Sequence, residues 1–185
     1  MLRHVMLAAS LLSLAAPAPA ETVKSSANGF EISETVTIDA PITRVWATLL
    51  DPQKWWDKEH TYSGDSANLS MDAQAPGCFC EKLPDKGSIE HMHIVYVQPP
   101  LMLRMTGALG PLQAEAVNGT LVFKLAADGG TATKVTLTYV VGGYVRVGAD
   151  TLAPKVDEVL ALQMVDLKAA AEKAPPHDPS KGAGR

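Results

Sequence analysis

The stretch that most constrains the fold is residues 36–57, VTIDAPITRVWATLLDPQKWWD. Phe30, Ile32, Val36 and Ile38 all fall on even positions, so a strand through them carries one apolar face. Ala40-Pro41 ends that strand, and Pro41 suits the first turn of a helix, where its missing N–H costs nothing. Val45, Trp46, Leu49 and Leu50 then fall three and four apart and form one helical stripe, with Trp46 in the core. Asp51-Pro52 breaks the helix, and a second short turn carries Trp55 and Trp56. Adjacent tryptophans cannot both face inward on a regular element. One is expected to pack and the other to border a cavity mouth, where its N–H stays wet. Glu34 shares the apolar face of the first strand and has two readings. Either the strand is an edge and the carboxylate reaches solvent at its end, or the face lines a wet cavity, since a dry unpaired carboxylate is costly.

The rest of the chain supplies a sheet for this stretch to close on. Residues 58–66 form a polar loop and 68–71 a short strand. Pro76-Gly77 leads into CFCEKL, and Pro84-Asp85-Lys86-Gly87 turns the chain into a partner strand over 89–97. Pro99-Pro100 ends that strand and 101–106 starts another, while the weakly patterned 107–118 reads as a loop or lid. Leu121, Phe123 and Leu125 alternate before an Asp-Gly-Gly turn, as do Val135, Leu137, Tyr139 and Val141 after it. Asp150 or Thr151 can cap a final helix with Pro154 in its first turn. Its stripe is Leu152, Val156, Val159, Leu160, Gln163, Met164 and Leu167. A strand, two short helices, about six antiparallel strands and one long helix make an α+β chain, its helices on one face of a curled sheet.

The first twenty residues are set apart. Arg3 and His4 precede an apolar run, Leu7 to Leu14, and Ala18-Pro19-Ala20 is a small-x-small end. These are the three parts of a secretory signal, cleaved after Ala20, and the run is shorter than the ~20 residues that cross a bilayer. The expectation is a secreted or periplasmic protein with no stable membrane anchor. Residues 21–29 read as a flexible tether, 30–172 as the domain and 173–185 as a disordered tail. Losing Arg3 with the leader takes the formal charge from −4 to −5, and no basic run appears. Phosphate-backbone binding needs one, so nucleic acid is not an expected partner.

The sharpest local signal is Cys78-x-Cys80 with His91-x-His93. An even-length hairpin loop centred on Asp85-Lys86 pairs Cys80 with His91 and Cys78 with His93, all four on one sheet face. Two Cys and two His are a zinc set by type, but ligand atoms about 3–4 Å apart are hard to reach from a flat sheet. Three states follow: free or oxidisable thiols as the leading one, a Cys78–Cys80 disulfide, and a metal site as the minority alternative. No cofactor is expected. In the same register Glu81 faces Glu90 on the opposite face, which also carries Phe79, Met92, Ile94 and Tyr96. That face holds the greater apolar bulk and is taken as inward. Arg104 points away from Leu103 and Met105, as a solvated charge or an anchor for a ligand carboxylate. Tyr139 and Met164 fall where sheet and long helix meet. No nucleophile elbow, P-loop, dinucleotide fingerprint or HExxH motif occurs, and no catalytic residue is assigned.

These motifs together resemble the SRPBCC (START-like) superfamily. IDAPITRVWATLLDPQKWW looks like its opening strand, helix and paired tryptophans, PGCFCEKL like its Gly-aromatic strand, and VYVQPPLMLRMTG like its strand, Pro-Pro and strand. The final amphipathic helix agrees, so the resemblance spans roughly 30–172. The subgroups nearest in pattern are polyketide cyclase/dehydratase-like and Aha-type activator-like. The exported character sets this chain apart from the Aha-type activators, which act on a cytosolic chaperone. The resemblance implies a helix-grip fold, about seven antiparallel strands gripping a C-terminal helix around an apolar cavity. It also implies a small hydrophobic molecule as partner. Within that frame, candidate ligand contacts are Glu34, Trp55, Trp56, Tyr96, Arg104, Tyr139 and Met164. Two alternatives stand beside simple binding. One is a cyclase- or dehydratase-type enzyme using His or Glu as acid–base groups, the other a protein-interaction module.

Overall fold

The computed structural model describes residues 21–173, with side chains from Lys24 onward. The expected leader (1–20) and nearly all of the expected tail lie outside the described residues. Eight strands form one antiparallel sheet in the order β1-β2-β8-β7-β6-β5-β4-β3. The strands are β1 (Glu21–Ser26), β2 (Gly29–Ile38), β3 (Leu69–Met71), β4 (Gly77–Lys82), β5 (Ser88–Gln98), β6 (Met102–Gly107), β7 (Ala116–Asp128) and β8 (Ala132–Tyr144). The helices are α1 (Ile42–Leu49) and α2 (Ala149–Lys173). This is the α+β helix-grip architecture, with one strand more than the seven implied.

The extra strand corrects the expected tether. Residues 21–26 pair with β2 along Glu21↔Ser33 to Ser26↔Gly29. Over residues 29–33 β2 is held between β1 and β8 and is not an edge; Glu34 lies just past the last β1 pair, opposite Leu137 of β8.

Alternation builds the core as the sequence suggests. Phe30, Ile32 and Ile38 of β2, Leu121, Phe123 and Leu125 of β7, and Val135, Leu137, Tyr139 and Val141 of β8 are all buried. From α2, Ala153, Leu160, Met164, Leu167 and Ala171 join the same cluster. Each large apolar side chain so buried contributes roughly 1.5–3 kcal/mol. The far end of α2 is tied to the end of β2 by polar contacts. Glu172 accepts from the Asp39 N–H at 2.9 Å, and Lys168 Nζ donates to the Thr37 carbonyl at 2.6 Å. Pro154 lies in the second turn of α2 rather than the first.

β5 is where alternation fails, and it fails twice. Its partner β4 pairs Cys78↔His93 and Phe79↔Met92, then shifts to Cys80↔Glu90 and Glu81↔Ile89. The turn between them is centred on Asp85 alone, an odd-length loop, with Asp85 and Lys86 both at positive φ. A bulge at His91 absorbs the one-residue difference and restores the expected register beyond it. On the β6 side, Ile94↔Met105 is followed by Tyr96↔Arg104, so Val95 is the second extra residue. A bulge reverses which face the following side chains take. Hence His91 and its neighbour Met92 are both buried, while Tyr96 is turned to the outer surface.

Candidate functional site

A pocket of about 360 Å³ lies between four segments. Its walls are the 56–62 segment that follows the short Pro52–Lys54 turn, the 109–112 segment between β6 and β7, and the first three turns of α2. His91 of β5 completes it. The lining is mainly apolar: Trp56, Leu109, Pro111, Leu112, Val156 and Leu160 carry most of it. Leu152, Val156 and Val159 extend the helical stripe beyond what the core uses, and their half-buried side chains face this space.

Side chain to backbone hydrogen bonds hold the walls in place. Tyr62 Oη donates to the Gly110 carbonyl at 2.9 Å and so links two walls. Gly110 has φ of +54°, a left-handed conformation that glycine adopts without strain. Trp56 Nε1 donates to the His60 carbonyl at 3.0 Å. From beneath, Tyr139 Oη accepts from the Leu109 N–H at 3.1 Å and donates to the Gly107 carbonyl at 3.2 Å. The Tyr139 ring has room because position 119 is glycine, where a Cβ would fall 2.5 Å from Cε2 of the ring.

The polar feature of the pocket is His91. Its Nε2 lies 2.9 Å from Oε2 of Glu81, and Glu81 is itself buried. The Glu81 carboxylate also accepts from the Tyr62 N–H at 3.1 Å and the Ser63 N–H at 2.5 Å. Burial alone would raise its pKa, but hydrogen bonds from Ser63, Tyr62 and His91 outweigh that and hold it below the ordinary carboxylate value. Burial pushes the His91 pKa down, against the pull of Glu81. The pair is therefore a carboxylate with a neutral imidazole. The ring packs against Phe79 and Tyr62, with centroids 4.9 Å and 6.0 Å away.

Of the seven residues expected to touch a ligand, only Trp56 lines this pocket. Trp55 and Trp56 are both buried, contrary to the expectation that only one could be. The chain leaves the Pro52–Lys54 turn in a non-helical conformation at Trp55, so the two rings meet different partners. Trp55 packs edge-on against Phe123 and donates from Nε1 to the Leu49 carbonyl, while Trp56 packs on Phe79. Trp55 borders a second cleft, beside Lys54, Asp57, Asp166 and Lys173. Burial and the nearby Asp57 charge raise the Asp166 pKa.

The other five are elsewhere. Tyr96 and Arg104 stack on the outer face of the sheet, the guanidinium carbon 5.3 Å from the ring centroid. The bulge at Val95 turned Tyr96 outward, whereas Arg104 faces outward by the plain alternation of β6, opposite to buried Leu103 and Met105. Met164 and Tyr139 are core. Glu34 is half-buried in the middle of β2 and lines neither cleft. It faces Asp157 of α2, and the two side chains share a hydrogen bond. Burial, then the Asp157 charge and that hydrogen bond, push Glu34 up to about 7.

The Cys/His constellation is also rearranged. Cys78 and Cys80 form a disulfide rather than free thiols, and His91 turns inward while His93 stays on the surface beside Glu90, with Nδ1 3.3 Å from its Oε1. The four side chains do not converge, and Glu81 no longer faces Glu90. Among the described residues no group of three or more His, Cys, Asp or Glu is placed to hold a metal ion. The residues that sequence reasoning did not assign to a site are Tyr62, Leu109, Leu112 and the outer stripe of α2. The signals available were the Gly-Pro-rich 107–118 segment and a helical stripe wider than one core contact needs.

Known proteins agree with this architecture. The family described as polyketide cyclase/dehydrase and lipid transport matches residues 29–172. A conserved protein of unknown function from Enterococcus faecalis superposes with a TM-score of 0.55 at 15% identity, covering 83% of this chain and 77% of its own. CalU16 from Micromonospora echinospora gives 0.54 at 15% identity, covering 84% and 87%. Ms6760 from Mycobacterium smegmatis gives 0.52 at 20% identity, covering 86% and 100%. At these identities the likeness is one of fold. No curated protein matches the sequence. With the family match spanning nearly all the described residues and the helix-grip sheet to support it, the chain belongs to the polyketide cyclase/dehydrase and lipid-transport family, of SRPBCC type.

Proposed function

We propose that this is an exported binding protein for a small, largely apolar molecule, held between α2, the 56–62 segment and the 109–112 segment. The observation that carries the reading is the pocket itself. Its volume of about 360 Å³ falls in the range of small-molecule sites, and its lining combines apolar walls with very few inward polar groups. The family's scope, polyketide chemistry and lipid transport, is consistent with such a guest. Export rests on the three-part leader at 1–20. The Cys78–Cys80 disulfide supports it, since disulfides persist in oxidising compartments.

Native mass spectrometry of the protein purified from its own compartment tests the reading. The expected spectrum shows an adduct of an apolar metabolite, lost when Leu112 or Val156 is replaced by Asp. A bare protein that also fails to bind any apolar dye would overturn it.

One observation favours a second reading, an acid–base enzyme. Glu81 orients His91 as carboxylates orient catalytic imidazoles, and His91 reaches the pocket. That reading requires the bound molecule to leave chemically changed, which incubation of the isolated adduct with fresh protein would reveal.

A further inference from the structure

The orientation of His91 specifies what kind of molecule the pocket receives. Glu81 is a carboxylate that takes hydrogen bonds from two backbone N–H groups and can only accept from the imidazole. The proton of a neutral His91 therefore sits on Nε2 and points at Glu81. Nδ1 is left with a bare lone pair. It has no hydrogen-bond partner among the described residues, and it is not among the buried polar atoms sealed without one. His91 contributes to the pocket lining, whereas Glu81 does not. Phe79 and Tyr62 pack tilted against the ring, at interplanar angles of 32° and 34°. Tyr62 Oη is already donating to Gly110, and the Tyr139 hydroxyl is spent on Leu109 and Gly107. Of the other polar side chains of the lining, half-buried Thr61 donates its hydroxyl to the Lys58 carbonyl at 2.7 Å, and Glu59, His60 and Lys155 are exposed and stand at the rim. Among the lining side chains, Nδ1 of His91 is thus the one buried, oriented acceptor, and no buried side-chain donor is unspent.

Resting on the binding reading above, we propose that the ligand is an apolar molecule bearing a hydroxyl donor, a phenol or an alcohol, whose O–H is accepted by Nδ1 of His91. An apolar carboxylate is disfavoured by the same geometry, because it would bring a second negative charge and no donor to a lone pair. An ether or hydrocarbon of the same shape would fill the walls and leave Nδ1 unpaired.

The test uses three probes on one ring system, 2-naphthol, 2-methoxynaphthalene and 2-naphthoate, titrated at neutral pH against the whole chain. 2-Naphthol is expected to bind more tightly than the methyl ether by roughly three- to tenfold, the range for one net hydrogen bond, and more tightly than the naphthoate. His91→Phe should abolish the preference. Equal affinity of naphthol and ether, tighter binding of the naphthoate, or a preference that survives His91→Phe would each overturn the hydroxyl assignment and leave the pocket reading standing. Failure of all three probes would overturn the pocket reading, and this inference with it. Should His91→Phe not fold, the ring nitrogen chemical shifts of His91 in the unmodified protein decide. A protonated Nε2 and bare Nδ1 are expected, and the opposite tautomer overturns the proposal.

Discussion

His91 Nε2 and Glu81 Oε2 meet at 2.9 Å because His91 is the extra residue of a bulge, not because the two face one another in a regular ladder. Glu81 also terminates the backbone N–H groups of Tyr62 and Ser63, so one carboxylate anchors the 60s loop and orients the imidazole. Glu81→Ala would leave the buried His91 N–H and the part-buried Tyr62 and Ser63 N–H groups without their acceptor and is expected to cost about 1–3 kcal/mol, the range for stranding one buried donor. Urea unfolding at pH 7 measures this directly. The sign with pH follows from the depressed pKa. The contribution is complete above the ordinary carboxylate value and is lost as pH falls through the lower, folded one. The gap between wild type and Glu81→Ala should therefore narrow in acid; a gap that widens there contradicts the assignment.

Glu34 carries the opposite dependence. Its pKa is raised to about 7 by burial and by Asp157, so the folded state binds a proton that the unfolded chain has released. Stability attributable to this pair is intact below the ordinary carboxylate value of 4.5 and falls as pH rises towards about 7. Glu34→Gln keeps the shape and removes the charge. It should raise the urea midpoint at pH 8 and change it little at pH 5. An unchanged midpoint at both would show that the two carboxyls do not oppose each other.

Tyr139 governs the pocket from outside it. Removing its hydroxyl in Tyr139→Phe strands the Leu109 N–H and the Gly107 carbonyl, at a cost of about 1–3 kcal/mol. The readout that separates this from plain core damage is local. Amide exchange at Leu109 should accelerate more than at Leu121, and naphthol affinity should drop although no pocket-lining side chain has changed. Uniform acceleration across β7 and β8 would argue against a wall-holding role.

The Cys78–Cys80 bridge closes a ring of very few residues. Loop-closure entropy grows with ring size, so the double Cys78→Ser, Cys80→Ser variant should lose only roughly 1–2 kcal/mol. It should also retain naphthol binding, because both cysteines lie on the face away from the pocket. Thermal unfolding with and without reductant provides the comparison, and loss of folding on reduction would show that the bridge does more than close a short loop.

The architecture was legible because it depends on patterns that tertiary context does not reverse. Phe30, Ile32 and Ile38, the alternation of 121–125 and 135–141, and the stripe of α2 each demand burial on one face, and a strand–helix–sheet–helix order leaves few ways to provide it. The site was legible only in part. Trp56 is a candidate contact and 107–118 a loop or lid by sequence, and both line the pocket, whereas Leu152, Val156 and Val159 show in the sequence only as part of a helical stripe. Arg104 faces away from buried Leu103 and Met105, as alternation requires, and only Tyr96 departs from it. Strict alternation holds only for an unbroken strand, and the two bulges in β5 turn His91 in and Tyr96 out. The odd-length turn at Asp85 and the fit of β5 between two neighbours decide those bulges, and neither leaves a mark in a single strand's composition. Glu34 is the same lesson at one residue. The sequence by itself determined that a carboxylate lay on an apolar face, because side-chain period is a property of the strand alone. Only the tertiary structure decided that Asp157 would meet it, because a contact across 123 residues depends on how α2 crosses the sheet.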